Sequence, residues 1–392
     1  MNINIPIAGL RDNSKIGKLI YFVFNVVSLL YISQAYRIIF KSSDALMLVR
    51  VTEDFVLIGL LISTIILQGN LKVKNLIPFI LLFVYLSFNY LIVLSDFDQL
   101  RRFTITMFWF TVAINLIGHI KINHFFYTVC FLGILSSSVM VFNIEQTIAM
   151  YILENQRIHA EGEGLGININ NITLILVALT ATATVLKKNA PYIKYGTLLI
   201  LILYTSVAIV LLIGATRSAF LFYMLLLFYY LFSINARLII VPLIFSVFLF
   251  FISFIFIDNL VVVSRIVDFD PQSSSRILAM IDSMSNFANY PMFGIGEIYQ
   301  ENIQIRNIGE PDHNFYSRLL GSNGLVGFIF VILFLNGMGK FFIKGLKGAF
   351  ILKGFLFYTF FFAPAGPGFL VVATASYYLS ILKHKDESKS FI

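Results

Sequence analysis

Cysteine occurs once in this sequence, at Cys130, inside an apolar run. One cysteine excludes a disulfide within a single chain and a cysteine-ligated zinc site. Charge is scarce as well. Only 12% of the 392 residues are Asp, Glu, Lys or Arg, against 59% hydrophobic residues, and mean hydropathy is +0.88. A soluble core of this size does not need so much Phe, Leu and Ile. The sequence contains no repeat of about 20–50 residues and no low-complexity tract, which excludes solenoids and disordered linkers. No small-residue cleavage site follows a short apolar region near the N-terminus, so no removable signal peptide is expected.

What fills the sequence instead is long apolar runs. Stretches of about 18 or more such residues mark transmembrane helices. They fall at roughly 17–40, 46–67, 75–94, 103–120, 122–143, 167–186, 195–213, 218–233, 238–257, 314–336, 349–363 and 367–382, the last two meeting at the Pro/Gly turn 364–368. The expected fold is an all-α polytopic membrane protein of about 12 transmembrane helices, with a large outer loop that carries an amphipathic helix. The expected divisions are 1–143 (helices one to five), a core at 144–340 that includes the outer loop 258–313, and a C-terminal part at 341–392.

Alternating sides from a cytoplasmic N-terminus puts 17 of the 28 Lys and Arg inside with only 3 of the 20 acids. The inner side is then +14 (17 less 3) and the outer side −6 (11 less 17), which together give the chain's +8. The basic excess therefore orients the protein, with both termini cytoplasmic, and is no nucleic-acid footprint. Lysine and arginine also separate. Of 16 lysines only Lys41 falls outside, whereas 10 of 12 arginines do. Arginine's planar fork suits bidentate phosphate binding better than a lysine ammonium does. An outer face with arginine and almost no lysine hints at a phosphate-bearing ligand; chance and composition bias stand as the alternative.

Three positions on that face carry candidate chemistry. Arg217, in "LLIGATRSAFLF", stands between two apolar runs with no acidic neighbour. Arg276 falls in the first turn of a helix expected at 275–289, with an N-cap from Ser273–Ser275. Ile277, Met280, Ile281, Met284, Phe287 and Ala288 give that helix an apolar stripe, which would lie along the membrane surface or cover a cavity. Helix N-termini accept anions, so serine hydroxyls, free N–H groups and a guanidinium there make an oxyanion or phosphate site, or else a solvated arginine on a surface helix. His313, flanked by Asp312 and Asn314 where the chain re-enters the membrane, can act as a general base near neutral pH, or as a polar helix cap.

Taken in order, these features resemble the O-antigen ligase/polymerase family of bacterial membrane glycosyltransferases, over roughly residues 145–340. The carrying motifs are "GATRSAFL", "SSSR", "YPMFGIG" (290–296) and "HNFYSRLLGSNGLVGFIFVILFL" from His313 onward. "RIHAEGEGLGININN" (157–171) is similar to a family segment that has Arg-x-x-Gly and Pro-Asn. Here Ile169 replaces the proline, so Arg157 is the weaker carry-over. The resemblance implies transfer of a glycan from undecaprenyl diphosphate at the outer face of the bacterial inner membrane. The acceptor would be the sugar hydroxyl of another lipid-linked repeat (polymerase) or of lipid A-core (ligase). By motif match, Arg217 and Arg276 would bind the donor diphosphate and His313 would activate the acceptor, with Arg157, Asn314 and Arg318 as further substrate-binding positions. The displacement would be inverting. No cofactor or metal is expected, since arginines suffice for the diphosphate. The glycan, membrane lipids and a chain-length regulator protein are the expected partners.

Rival readings stand beside this one. Asp96/Asp98 and Asp268/Asp270 are Asp-x-Asp pairs, the type that holds a metal with a sugar nucleotide, but both fall on the outer side. Arg50, Glu53 and Asp54 have helical spacing for a self-paired cluster. A twelve-helix flippase or transporter suits the span count, yet lacks the internal duplication such proteins commonly show.

Overall fold

A computed structural model describes residues 73–89, 121–142, 169–214, 217–234, 272–309, 312 and 314–339, the pairs 3–4 and 70–71, and short stretches within 23–38, 55–59, 100–104, 350–355 and 371–378. The spans expected at 46–67, 103–120, 238–257, 349–363 and 367–382 fall wholly or mostly outside these residues. So do the outer segment 144–166, Arg50/Glu53/Asp54 and both Asp-x-Asp pairs.

The described architecture is helical. Two two-residue strands are the exception: β1 (Ile3–Asn4) pairs antiparallel with β2 (Asn70–Leu71), Ile3 opposite Leu71. The helices are α1 (Val73–Ser87), α2 (Ile122–Phe142), α3 (Ile169–Asn189), α4 (Gly196–Gly214), α5 (Arg217–Ile234), α6 (Gln272–Asn289), α7 (Glu297–Ile308) and α8 (Phe315–Gly339). Among the described residues, Ile122–Val141 and Ile172–Asn189 are long and apolar enough to cross a membrane. With 19 and 18 residues, α4 and α5 span about 27–28 Å at 1.5 Å per residue, close to a bilayer's apolar core.

α3 is the centre of one packed group, with α2, α4 and α5 around it. Every residue from Ile172 to Leu186 is buried, as expected of a helix that is apolar all round. Its small side chains, Ala178, Ala181 and Ala183, let neighbours approach, the usual packing where lipid supplies no hydrophobic drive between helices. Two of its hydroxyls find partners one turn back: Thr180 donates to the Leu176 carbonyl and Thr184 to that of Thr180, each at 2.8 Å. Tyr204 on α4 and Tyr223 on α5 lock the next layer. The Tyr204 hydroxyl lies 3.1 Å from that of Thr184 and donates to the Leu226 carbonyl, while Tyr223 donates to the carbonyl of Tyr204. Beyond α3, Lys187 Nζ donates to the carbonyls of Pro191 and Ile193, satisfying acceptors in the turn to α4.

The second group is α1, α6, α7 and α8. Three of its features depart from the sequence expectation. α7 is a helix that apolar periodicity does not reveal. α6 begins at Gln272, so Ser273–Ser275 lie inside the helix and Arg276 is its fifth residue, past the first turn. α8 is not continuous: Gly324 breaks it with φ 63° and ψ −168°.

Candidate functional site: a loop docked on a broken helix

A break in a helix strips backbone groups of their partners, and each unmet group is costly when buried unless other protein groups meet it. Here the segment Pro291–Gly296 does so. Ile295 N–H donates to the Gly321 carbonyl at 3.1 Å and Gly296 N–H to that of Ser322 at 2.9 Å. In return Leu325 N–H donates to the Pro291 carbonyl at 2.7 Å and Val326 N–H to that of Met292 at 3.1 Å. The Asn323 carbonyl accepts from the Tyr85 hydroxyl of α1 at 3.0 Å, and the Tyr85 ring stacks on Phe330. Backbone packs directly on backbone. A Cβ at Gly294 would lie 2.3 Å from the Ser322 carbonyl carbon, and one at Gly324 would lie 2.4 Å from that of Met292. Both glycines have positive φ, so only glycine meets the steric and conformational demands together. The motifs "YPMFGIG" and "GSNGL" are thus the two halves of one joint.

On the other side of this joint, α6, α7 and the start of α8 converge on buried polar side chains. Gln304 of α7 is 1% exposed. Its Oε1 accepts from Asp312 N–H at 2.9 Å. Its Nε2 donates to the Ala279 carbonyl, Ser283 Oγ and Asp282 Oδ2 of α6, at 3.0, 2.9 and 3.1 Å. One face of the amide meets an N–H and the other meets acceptors, so its orientation is forced. One turn earlier Gln300, equally buried, donates to Ser283 Oγ at 2.6 Å. Asp312 is buried too. Its Oδ1 accepts from Asn314 N–H at 2.8 Å and its Oδ2 from the Ser317 hydroxyl at 2.5 Å. Asn314 then caps α8, its Oδ1 accepting from the N–H groups of Tyr316 and Ser317. Arg318 donates from Nη2 to Glu301 Oε2 of α7 at 2.9 Å.

The outward faces of α6 and α7 are the reverse. Ile277, Leu278, Ile281 and Met284 are exposed, as are Tyr299 and Ile305, while Ala279 and Ser283 face in. The apolar stripe of α6 therefore does not pack into protein. Met292 and Phe293 extend the exposed apolar surface, and the Phe293 ring lies 6.1 Å from that of Phe88 at the end of α1.

The expected site residues are placed unequally. Asn314 and Arg318 are fixed as described, one as a cap and the other paired with Glu301. Arg276 stands on α6 three residues before Ala279, and Arg217 is the first residue of α5; both side chains lie outside the described residues. His313 and Arg157 lie outside them altogether, although Asp312 and Asn314 on either side of His313 are fixed. The joint and the convergent polar cluster bring α6, α7 and 312–318 together. Sequence reading did not pick out Gln300, Gln304 or Glu301. Glutamines four residues apart on a helix look like a solvated face, and only their burial marks them.

Residues 196–332 match the family model described as O-antigen ligase. No curated protein matches the chain. The match is shorter than the motif-based resemblance and does not reach Arg157. It does contain Arg217, Arg276, His313, Asn314 and Arg318, as well as both halves of the glycine joint. Over this segment the chain is similar to the O-antigen ligase family, in agreement with the order of its motifs.

Proposed function

We propose that the protein is a surface-polysaccharide polymerase of the bacterial inner membrane, both termini cytoplasmic, joining lipid-linked glycan repeats on the outer face. The observation that supports this reading is the family match over residues 196–332, within which Gln304 ties Asp312, next in sequence to His313, to the helix of Arg276. The acceptor hydroxyl oxygen attacks the anomeric carbon while the bond from that carbon to the diphosphate oxygen breaks, inverting the centre. His313 takes the hydroxyl proton as general base. Arg217 and Arg276 meet the negative charge that grows on the departing undecaprenyl diphosphate, the electrostatic role usually filled by preorganised cations. No step requires a metal. Arg157 and the outer-facing loops contribute to holding the glycan, and a chain-length regulator protein acts on the product.

The matched model's description favours a second reading, ligation of the glycan to lipid A-core. The two differ in acceptor only. Deletion followed by analysis of surface glycan separates them. Loss of long chains with single repeats still transferred identifies the polymerase. Full-length chains stranded on undecaprenyl diphosphate identify the ligase. Lipid-linked repeats that accumulate on the cytoplasmic face and are missing from the outer face would point instead to a flippase. Alanine at Arg217, Arg276 or His313 is expected to lower turnover about 100- to 1000-fold. Wild-type turnover in all three variants refutes the site, and turnover abolished by a chelator refutes metal independence.

A further inference from the structure

We infer that Gln304 is a positioning residue: its buried amide sets the backbone at Asp312, next in sequence to His313, against the helix that carries Arg276. The inference rests on the functional reading above. Gln304 is the side chain that ties both elements at once. Its oxygen holds the backbone N–H of Asp312, the residue directly before His313, at 2.9 Å. Its nitrogen holds the Ala279 carbonyl, three residues after Arg276, at 3.0 Å, together with Ser283 and Asp282. The far side of His313 is held as well. Asp312 Oδ1 accepts from Asn314 N–H, and Asn314 in turn is locked onto the first turn of α8. The backbone on either side of His313 therefore takes its position from a bond to Gln304 and from a helix cap. α6 takes its position against that backbone from the same glutamine. Asp312 lies just before α8 and Arg276 on α6, and the chain between them runs through the rest of α6, the segment 290–296 and α7, so it does not by itself hold them in register.

The chemistry needs such a tie. A base and an anion-binding arginine act on opposite ends of one displacement, and a misplacement of about 1 Å can cost roughly 100-fold in rate. An apolar side chain at 304 would fill the space and hold no register. It would also leave the Asp312 N–H buried without its partner.

The test uses the full-length protein purified in detergent, with lipid-linked glycan extracted from cells that lack the protein as substrate. Gln304→Met keeps the side-chain length and removes every hydrogen bond. Its kcat is expected to fall about 10- to 100-fold, with KM for the extracted glycan changed less than about twofold, because substrate binding by arginines is retained. Added to His313→Ala, it is expected to lower residual turnover no further, since the group it positions is gone. The exchange Gln304→Glu with Asp282→Asn keeps an acceptor on the Asp312 N–H and restores a donor–acceptor pair to α6. It is expected to recover turnover to within about threefold of wild type.

Wild-type kcat in Gln304→Met while His313→Ala is inactive overturns the positioning role alone. Wild-type kcat in His313→Ala overturns the functional reading itself. If Gln304→Met fails to fold, the exchange variant decides: a folded but inactive exchange overturns the inference, and an active one supports it. If neither accumulates as folded protein, Gln304 is a folding residue and the inference fails.

Discussion

Alanine at Gly294 is expected to undo the docking of the loop on α8, and the structure sets the size of the effect. The new Cβ would lie 2.3 Å from the Ser322 carbonyl carbon, 2.4 Å from its oxygen and 2.5 Å from Asn323 N. These are backbone atoms, which cannot swing aside as a side chain end can. Relief requires the two segments to part by about 1 Å, since carbon atoms pack at about 3.5–4.0 Å. The four backbone bonds between them, now 2.7–3.1 Å, would then pass out of hydrogen-bonding reach. At about 1 kcal/mol net for each, their loss costs about 4 kcal/mol. Alanine at a φ of 68° adds about 1 kcal/mol. The sum, about 5 kcal/mol, equals the whole stability of a weak domain. Gly309 supplies the internal control. It also has positive φ, 87°, but a Cβ there meets nothing within 4 Å, so Gly309→Ala carries the conformational cost alone. Heating the purified variants in detergent and following folded protein by size-exclusion measures the difference. Limited proteolysis near 290–296 locates it. If Gly294→Ala loses no more thermal stability than Gly309→Ala, the reasoning from backbone contact is wrong.

Tyr85→Phe removes the donor to the Asn323 carbonyl at the helix break and is expected to destabilise by about 1–3 kcal/mol, read as a lowered unfolding midpoint. Asn314→Ala removes the cap of α8 and is expected to cost about 1 kcal/mol; a turnover loss far beyond that would add substrate contact to its role. A fluorophore on Ile281→Cys, in vesicles, is expected to be quenched by lipids brominated near the headgroup, because the apolar faces of α6 and α7 point outward; buried Cys130 leaves the background unlabelled, and absence of quenching sinks the interfacial placement.

The long apolar helices were legible in the sequence. α2 and α4 fall within a residue or two of the expected limits, because in lipid the length of an apolar run translates directly into a span. The loop was legible only in part. α6 shows an apolar stripe at the expected helical spacing, and the stripe is exposed, as the membrane-surface alternative requires. α7 is inverted in the same way, with Gln300 and Gln304 inside and Tyr299 and Ile305 outside, so periodicity in "EIYQENIQIRNI" gives no sign of a buried face. The break at Gly324 was hidden for another reason. "GSNGLVG" has the glycines and small residues that packed membrane helices also use, and φ at Gly324 depends on a partner segment thirty residues upstream. Asp312 and Asn314 were noticed as neighbours of a histidine, and the Asn314 cap is a local pattern, whereas the bonds from Gln304 to α6 join residues far apart in sequence, which no local pattern carries.

The helix break and the loop form one device, and that has a consequence for specificity. Pro291–Gly296 answers the backbone of α8 at its break, and that break in turn holds Pro291–Gly296 in place. Neither half can move without exposing unmet N–H and carbonyl groups. From this joint, Gln300 and Gln304 reach α6, and Asp312 and Asn314 fix the start of α8. A unit held by reciprocal backbone bonds suits the part of the reaction that polymerase and ligase share, the departure of a lipid diphosphate. It offers few side chains free to read an acceptor: Asn314 is engaged as a cap, Arg318 in an ion pair, and the glutamines in the interior. On the proposed function, discrimination between a lipid-linked repeat and lipid A-core falls to segments outside this joint, and exchanging residues 1–143 between a polymerase and a ligase should move acceptor choice while leaving donor turnover in place.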